Sequence, residues 1–328
     1  MGKTALSGPL YVGGVPFVGA QGLLSQGKAW FCKPSSGSDG NDGTTVDRAV
    51  KTLSKAHDLA TANRNDTVYY FAESNTAAST TDYQSATLTW SKDLTHLVGV
   101  CAPSVVSQRA RIAQLSTATG VSPLLDVTAD GCVFSNISVF HGVADATSLI
   151  AVRVTGTRNY FHNVHFAGVG DATMSAAGAC SLKIDGGAEN VFDHCVIGVD
   201  TIARDADATE LLLDGAATRN LFEDCHFSSY ISAAGFASVT IADATGIDRW
   251  LRFKNCLFTT DSTNQATTQT AVFVIPAMVQ GKVILQNSYY LTDGASGSGA
   301  WEANGRGLIW NNSVAAAASG AGGEMTKL

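Results

Sequence analysis

The chain has 328 residues, with 21 Lys or Arg against 28 Asp or Glu, for a formal net charge of −7. That balance, with no run of Lys or Arg, excludes the clustered basic face that neutralises phosphates, so no nucleic-acid partner is expected. No apolar stretch approaches the ~18 residues of a membrane-spanning helix, and Met1 to Ala20 lacks the unbroken apolar run of an export signal.

Residues 1–29 are Gly-rich and carry only Lys3 and Lys28 as charges, which predicts an extended N-terminal arm. Trp30-Phe31-Cys32 reads as a first strand, and Gly37 to Thr44 as a loop of turn residues. This loop has two aspartates, but Asp42 falls one place early for the calcium-loop order that Asp39 would start, and no Glu follows at the required offset. No metal is expected there. Ala49, Leu53, Ala56 and Ala60 then fall at helical spacing and form one apolar stripe. A strand from Asp66 to Phe71 completes a lead-in over 30–71.

From there the sequence repeats, and repeats decide the fold. Six segments align without gaps, beginning at Phe134, Phe161, Phe192, Phe222, Phe253 and Leu285, at separations of 27, 31, 30, 31 and 32. Each reads as large apolar, variable, Asn-like, small or apolar, variable, large apolar. This pattern predicts two short strands around a bend, with Asn136, Asn163, His194, Asp224, Asn255 and Asn287 at the corner. Short amide side chains there bond the local backbone and tolerate unusual φ and ψ. Stacked coils would align them into a hydrogen-bonded ladder at the ~4.8 Å spacing of neighbouring strands.

Further strand-like stretches lie between the repeats: Leu149 to Val154, Cys180 to Ile184, Glu210 to Leu213, Val239 to Ile241 and Ala271 to Ile275. Two or three strands per roughly thirty residues make one solenoid coil. No amphipathic helix separates them as a βαβ unit requires, and a propeller blade needs a longer period; an antiparallel sandwich stays as the alternative. The predicted fold is therefore a single-stranded parallel β-helix over 72–292, preceded by a helix. Residues 293–328 are expected to form one late strand and a flexible or partner-docked tail. Cys195, Cys225 and Cys256 share one repeat position, so they are expected to pack as small hydrophobes rather than act as nucleophiles.

The succession FCKPSSGSDGNDGTT, RAVKTLSKAHDLA and DTVYYF over residues 30–71 resembles the N-terminal lead-in of pectate-lyase-like parallel β-helices, a family common among bacteriophage proteins and polysaccharide-active enzymes. The resemblance implies a helix plugging the open end of the solenoid. It also implies a right-handed winding, in line with the general bias of parallel crossovers.

Candidate chemistry is sparse. His162 and His165 straddle a bend, while His165 and His226 lie two coils apart, ~9–10 Å at one strand spacing per coil and too far for one zinc. No cofactor is expected. The column after the first aromatic holds Ser135, His162, Asp193, Glu223, Lys254 and Gln286. Stacking places Asp193 beside Glu223 at about one strand spacing, compatible with the carboxylate pair of a retaining glycosidase. The alternative is a solvated charge ladder offset by His162 and Lys254. This reading favours a non-enzymatic bacteriophage virion protein located in the particle, a homotrimeric head decoration, fibre or spike partnered by a capsid shell. The alternatives are a polysaccharide-degrading tailspike, lyase or hydrolase using Asp193 and Glu223, and an adhesin that binds a host surface glycan without cleaving it.

Overall fold

The structure is a computed structural model that describes residues 10–12, 15–17, 27–76, 81–168, 176–262, 269–277, 279–292, 300–302, 308–311 and 314–316. Its strands stack into three parallel sheets, two of ten strands and one of eight. Each repeat supplies one strand to each sheet in turn. Sheet I holds, among others, Tyr160–His162, Val191–Asp193, Ala217–Glu223 and Ile247–Lys254; sheet II includes His165–Gly168 and His226–Ile231; sheet III includes Ile150–Val154 and Cys180–Asp185. The chain is a parallel β-helix, as its period predicts.

The repeats stack in register. Phe134, Phe161, Phe192, Phe222 and Phe253 pair in sequence down the inner face of sheet I. Their rings lie nearly parallel, with successive centroids 4.9, 4.7, 4.5 and 5.1 Å apart. Offset stacking of this kind adds roughly 0.5–1.5 kcal/mol per pair beyond area burial. At the corner, Asn136, Asn163, His194, Asp224, Asn255 and Asn287 all adopt φ between 49° and 56°. This left-handed bend turns sheet I into sheet II and explains the short polar residues. The ladder of corner side chains is, however, interrupted. Asn163 donates to Asn136 Oδ1 (2.9 Å) and Asn287 to Asn255 Oδ1 (3.4 Å), but between them His194 turns aside to Asp193. An imidazole is too large and wrongly shaped to continue an amide-to-amide chain.

A second ladder carries the same coils from inside. Asn159, Asn190 and Asn220 are fully buried. Asn190 Oδ1 accepts the Asn159 amide at 2.9 Å and Asn220 Oδ1 accepts the Asn190 amide at 3.0 Å. Their Nδ2 groups reach back to the carbonyls of Ala129, Gly156 and Gly187. The buried thiols of Cys195, Cys225 and Cys256 form one column, each donating to the Phe carbonyl of the preceding coil at 3.3–3.4 Å. Burial pushes the Cys225 thiol well above its ordinary pKa, which suits packing and not nucleophilic attack.

The N-terminal end is closed by helix α1 (Leu53–Leu59), which buries Leu53, Ala56 and His57. The helix starts later than its apolar stripe suggests, because Asp39 Oδ1 accepts the Lys51 and Thr52 amides and holds that stretch extended. Ala49 is buried ahead of the helix. Thr52 caps the N-terminus by accepting from the Lys55 amide. Lys92 Nζ closes the other end with bonds of 2.7–2.8 Å to the carbonyls of His57, Asp58 and Ala60, the favourable place for a cation. Among the described residues no helix is long and apolar enough to cross a membrane.

Both ends differ from the expected boundaries. Ala29–Cys32 and Asp66–Phe71 already belong to sheet I. Beyond residue 292, Ala300–Glu302, Leu308–Asn311 and Val314–Ala316 add a further strand to sheets III, I and II. This part of the tail is thus paired, since sheet edges left by the previous coil offer it a full set of backbone partners. In the arm, Leu10–Val12 pairs antiparallel with Val15–Phe17; the rest of 1–26 and residues 317–328 lie outside the described residues.

Candidate functional site

Alternation along sheet I sends every second residue outward. One outward column runs through Ser135, His162, Asp193, Glu223, Lys254 and Gln286 in direct register. The parallel column, two residues earlier, runs through Val133, Tyr160, Val191, Leu221, Arg252 and Ile284. Asp193 and Glu223 are therefore neighbours on adjacent strands, with backbones ~4.8 Å apart.

Their side chains face different partners. Asp193 gathers groups from its own corner and from the preceding coil: Tyr160 donates its hydroxyl to Oδ2 (2.5 Å), His162 Nδ1 lies 2.9 Å from Oδ2, and His194 Nδ1 lies 2.5 Å from Oδ1. Burial alone would raise the Asp193 pKa. Hydrogen bonds from Tyr160, His162 and His194 outweigh it and hold the carboxyl below its usual range, so it is ionised. Tyr160 is pushed the other way, by burial first and then by its bond to that carboxylate. Glu223 instead pairs with Lys254 from the following coil. On the same strand as Lys254, two residues before it, Arg252 bonds Gln286.

The cluster forms because two periodicities meet here. Strand alternation brings out Tyr160, His162 and Asp193, and the left-handed corner swings His194 round to the same carboxylate. The Tyr160 and His162 rings stack with centroids 6.0 Å apart, and the His162 and His194 rings lie 5.7 Å apart. In the sequence His194 stands only as a corner residue, and its position directly after Asp193 is the one available signal.

The other residues weighed from the sequence serve the fold. His165 accepts from the Ser107 amide at 3.0 Å and lies 3.0 Å from the Gly198 carbonyl, while His226 meets Thr259 Oγ1 at 2.7 Å. Val196 stands between them in register. His162 and His165 belong to different sheets. In the loop, Asp39 binds backbone amides as above, and Asp42 accepts from both the Thr44 amide and its hydroxyl. Two polar clefts of about 520 and 500 Å³ flank the N-terminal cap, and Asp82 lines both. Burial raises its pKa to about 6, yet its Oδ2 accepts the Leu53 amide at 2.8 Å. Asp82 thereby anchors α1, and the concavity is a by-product of the cap.

No family model and no curated protein matches the sequence. Solved structures do. A pectate lyase, Pel9A, superposes with a TM-score of 0.54 at 13% identity, over 81% of this chain and 64% of its own; the chain thus spans just under two thirds of that enzyme. The pectin methylesterase from Aspergillus niger, in deglycosylated form, gives 0.55 at 17% identity, over 90% of this chain and 86% of that one. A pectin methylesterase in complex with a hexasaccharide gives 0.52 at 16%, over 90% and 91%. At these identities the likeness is one of fold: the chain has the right-handed parallel β-helix fold that these structures share.

Proposed function

We propose that the protein cleaves an acidic polysaccharide laid across the outward face of sheet I. The observation that carries this reading is the cluster on adjacent coils in which Asp193 gathers Tyr160, His162 and His194 beside Glu223, Lys254 and Arg252. Pectate lyase and pectin methylesterase, both named for acidic plant polysaccharides, share the fold. Hydrolysis by two carboxylates would need one of them protonated, whereas hydrogen bonds from Tyr160, His162 and His194 hold Asp193 below its usual range and Glu223 is engaged with Lys254. Elimination asks for something else: cations to neutralise the uronate carboxylate, and a group to take the proton next to it as the bond to the following sugar breaks. Arg252 and Lys254 supply the cations, His162 stands as the proton acceptor, and the Tyr160 phenol, kept protonated by burial and by its bond to Asp193, can hand a proton to the departing glycosidic oxygen. The reading is therefore a lyase.

Incubation with a panel of uronate polymers tests it. Release of unsaturated ends is expected, and it should fall in Asp193→Asn and Glu223→Gln. New reducing ends without unsaturation would instead mean hydrolysis, and binding without any product would mean an adhesin.

A second reading, a non-enzymatic structural element of a bacteriophage particle, draws support from the way outward charges already pair off: Glu189 with Arg158 and Arg219, Lys183 with Asp185 and Asp214, Arg153 with Asp126. It requires a homotrimer by mass in solution; a persistent monomer, or localisation away from virions, would count against it.

A further inference from the structure

The Asp193 cluster carries a set of donors that suits a metal ion. Two imidazoles turn the same nitrogen, Nδ1, toward one carboxylate, and the donor atoms of His162, Asp193 and His194 all lie within 4.8 Å of one another. Among the described residues this is the single grouping of three such donors. We propose that His162, Asp193 and His194 bind a divalent transition-metal ion of the zinc class.

Ligand chemistry selects the ion. Two imidazoles and one carboxylate suit zinc, cobalt or nickel, whereas calcium and magnesium call for sets of oxygen ligands. Ligand distances of about 2.0–2.2 Å around a tetrahedral ion place neighbouring donors roughly 3.4 Å apart. The present separations of 2.9 and 2.5 Å between the carboxylate oxygens and the two Nδ1 atoms open by about 0.5 and about 0.9 Å to admit the ion. Rigid elements hold the set: His162 and Asp193 sit in register on adjacent strands, and His194 on the φ 51° corner. The Tyr160 hydroxyl, 2.5 Å from Asp193 Oδ2, holds that carboxylate oxygen as outer-shell groups do. A fourth position is left for water or substrate.

The corner supplies an independent argument. Four of the six corner residues are Asn, and amide stacking is what the position favours where it can form. At His194 the ladder is given up and the side chain joins Asp193. This inference concerns the cluster invoked for polysaccharide cleavage, but it does not depend on that activity.

The test uses the full chain, stripped with chelator and kept reduced, and titrated with zinc, cobalt and calcium. One zinc per chain by calorimetry is expected. The cobalt form should show visible bands of a nitrogen–oxygen site without the sulfur charge-transfer band that the free cysteines would give. His194→Asn restores the residue found at Asn136, Asn163, Asn255 and Asn287, so the stripped variant should melt with the wild type while its zinc affinity falls at least about 100-fold. His162→Gln should lose affinity similarly. The proposal is overturned by no zinc binding in the wild type, by a sulfur band, by a preference for calcium, or by unchanged affinity in His194→Asn. Loss of zinc binding in His194→Asn with polysaccharide cleavage intact would leave the metal assignment standing and remove the ion from the reaction; cleavage absent with zinc bound would leave the metal assignment standing and overturn the cleavage reading.

Discussion

The inner and outer faces of sheet I are built from the same strands and obey opposite rules. Inward, one residue type recurs through five successive coils, from Phe134 to Phe253. Outward, one residue further along, the residue changes in every coil from Ser135 to Gln286. Rings stacked at 4.5–5.1 Å tolerate little change of shape, because interiors pack to near-crystalline density. An outward side chain answers only to its neighbours and solvent. Stability therefore resides in the repeated column and chemistry in the varied one.

The sharpest way to break that contrast is to cut each column in turn. Phe192 is fully buried between Phe161 and Phe222, so Phe192→Ala should cost about 3–5 kcal/mol in equilibrium unfolding. Asn190→Leu would orphan the buried amide of Asn159 and the carbonyl of Gly156. At about 1–3 kcal/mol per stranded group, a loss of roughly 2–6 kcal/mol is expected in the same assay.

A pH titration sharpens the comparison further. Burial pushes the pKa of His165 down from 6.5 to about 4, and His57 behaves alike. Each stays neutral in the folded chain while the unfolded chain takes up a proton below pH 6.5. The histidine contribution to stability should thus fall as pH drops from about 6.5 to about 4 and level off below. The expected loss is on the order of 2 kcal/mol per histidine. Asp82, raised to about 6, opposes it: its contribution grows on acidification through that value. Denaturant melts at several pH values should show a net loss on the acid side, steeper in Asp82→Asn.

Much of this was legible from residues alone. The thirty-residue period, the inward Phe column and the positive-φ corner each follow from a repeated residue type whose physical reason can be stated. The buried ladder of Asn159, Asn190 and Asn220 recurs just as regularly, but it lies two residues ahead of each Phe, and buried and solvated amides look alike in sequence. Ala49 kept the spacing of a helix, yet a distant carboxylate, Asp39, captured the amides of Lys51 and Thr52. Spacing could not show it. The register of Asp193 and Glu223 was readable as well; their separate commitments, to the Tyr160–His162–His194 group and to Lys254, depend on side-chain rotations that a repeat pattern does not encode.

The smallest stability effects are expected outside. Glu223→Gln breaks a half-exposed ion pair with Lys254 and should change unfolding by no more than about 1 kcal/mol. Asp193→Asn should likewise be mild. The most direct measurement is the rate at which Asp193→Asn releases unsaturated ends from a uronate polymer that the wild type cleaves, taken on protein whose melting midpoint matches the wild type. An unchanged melt with release lowered at least about 100-fold is the expected result. Release at the wild-type rate, or no product from the wild type on any such polymer, would contradict the assignment of chemistry to the outward face.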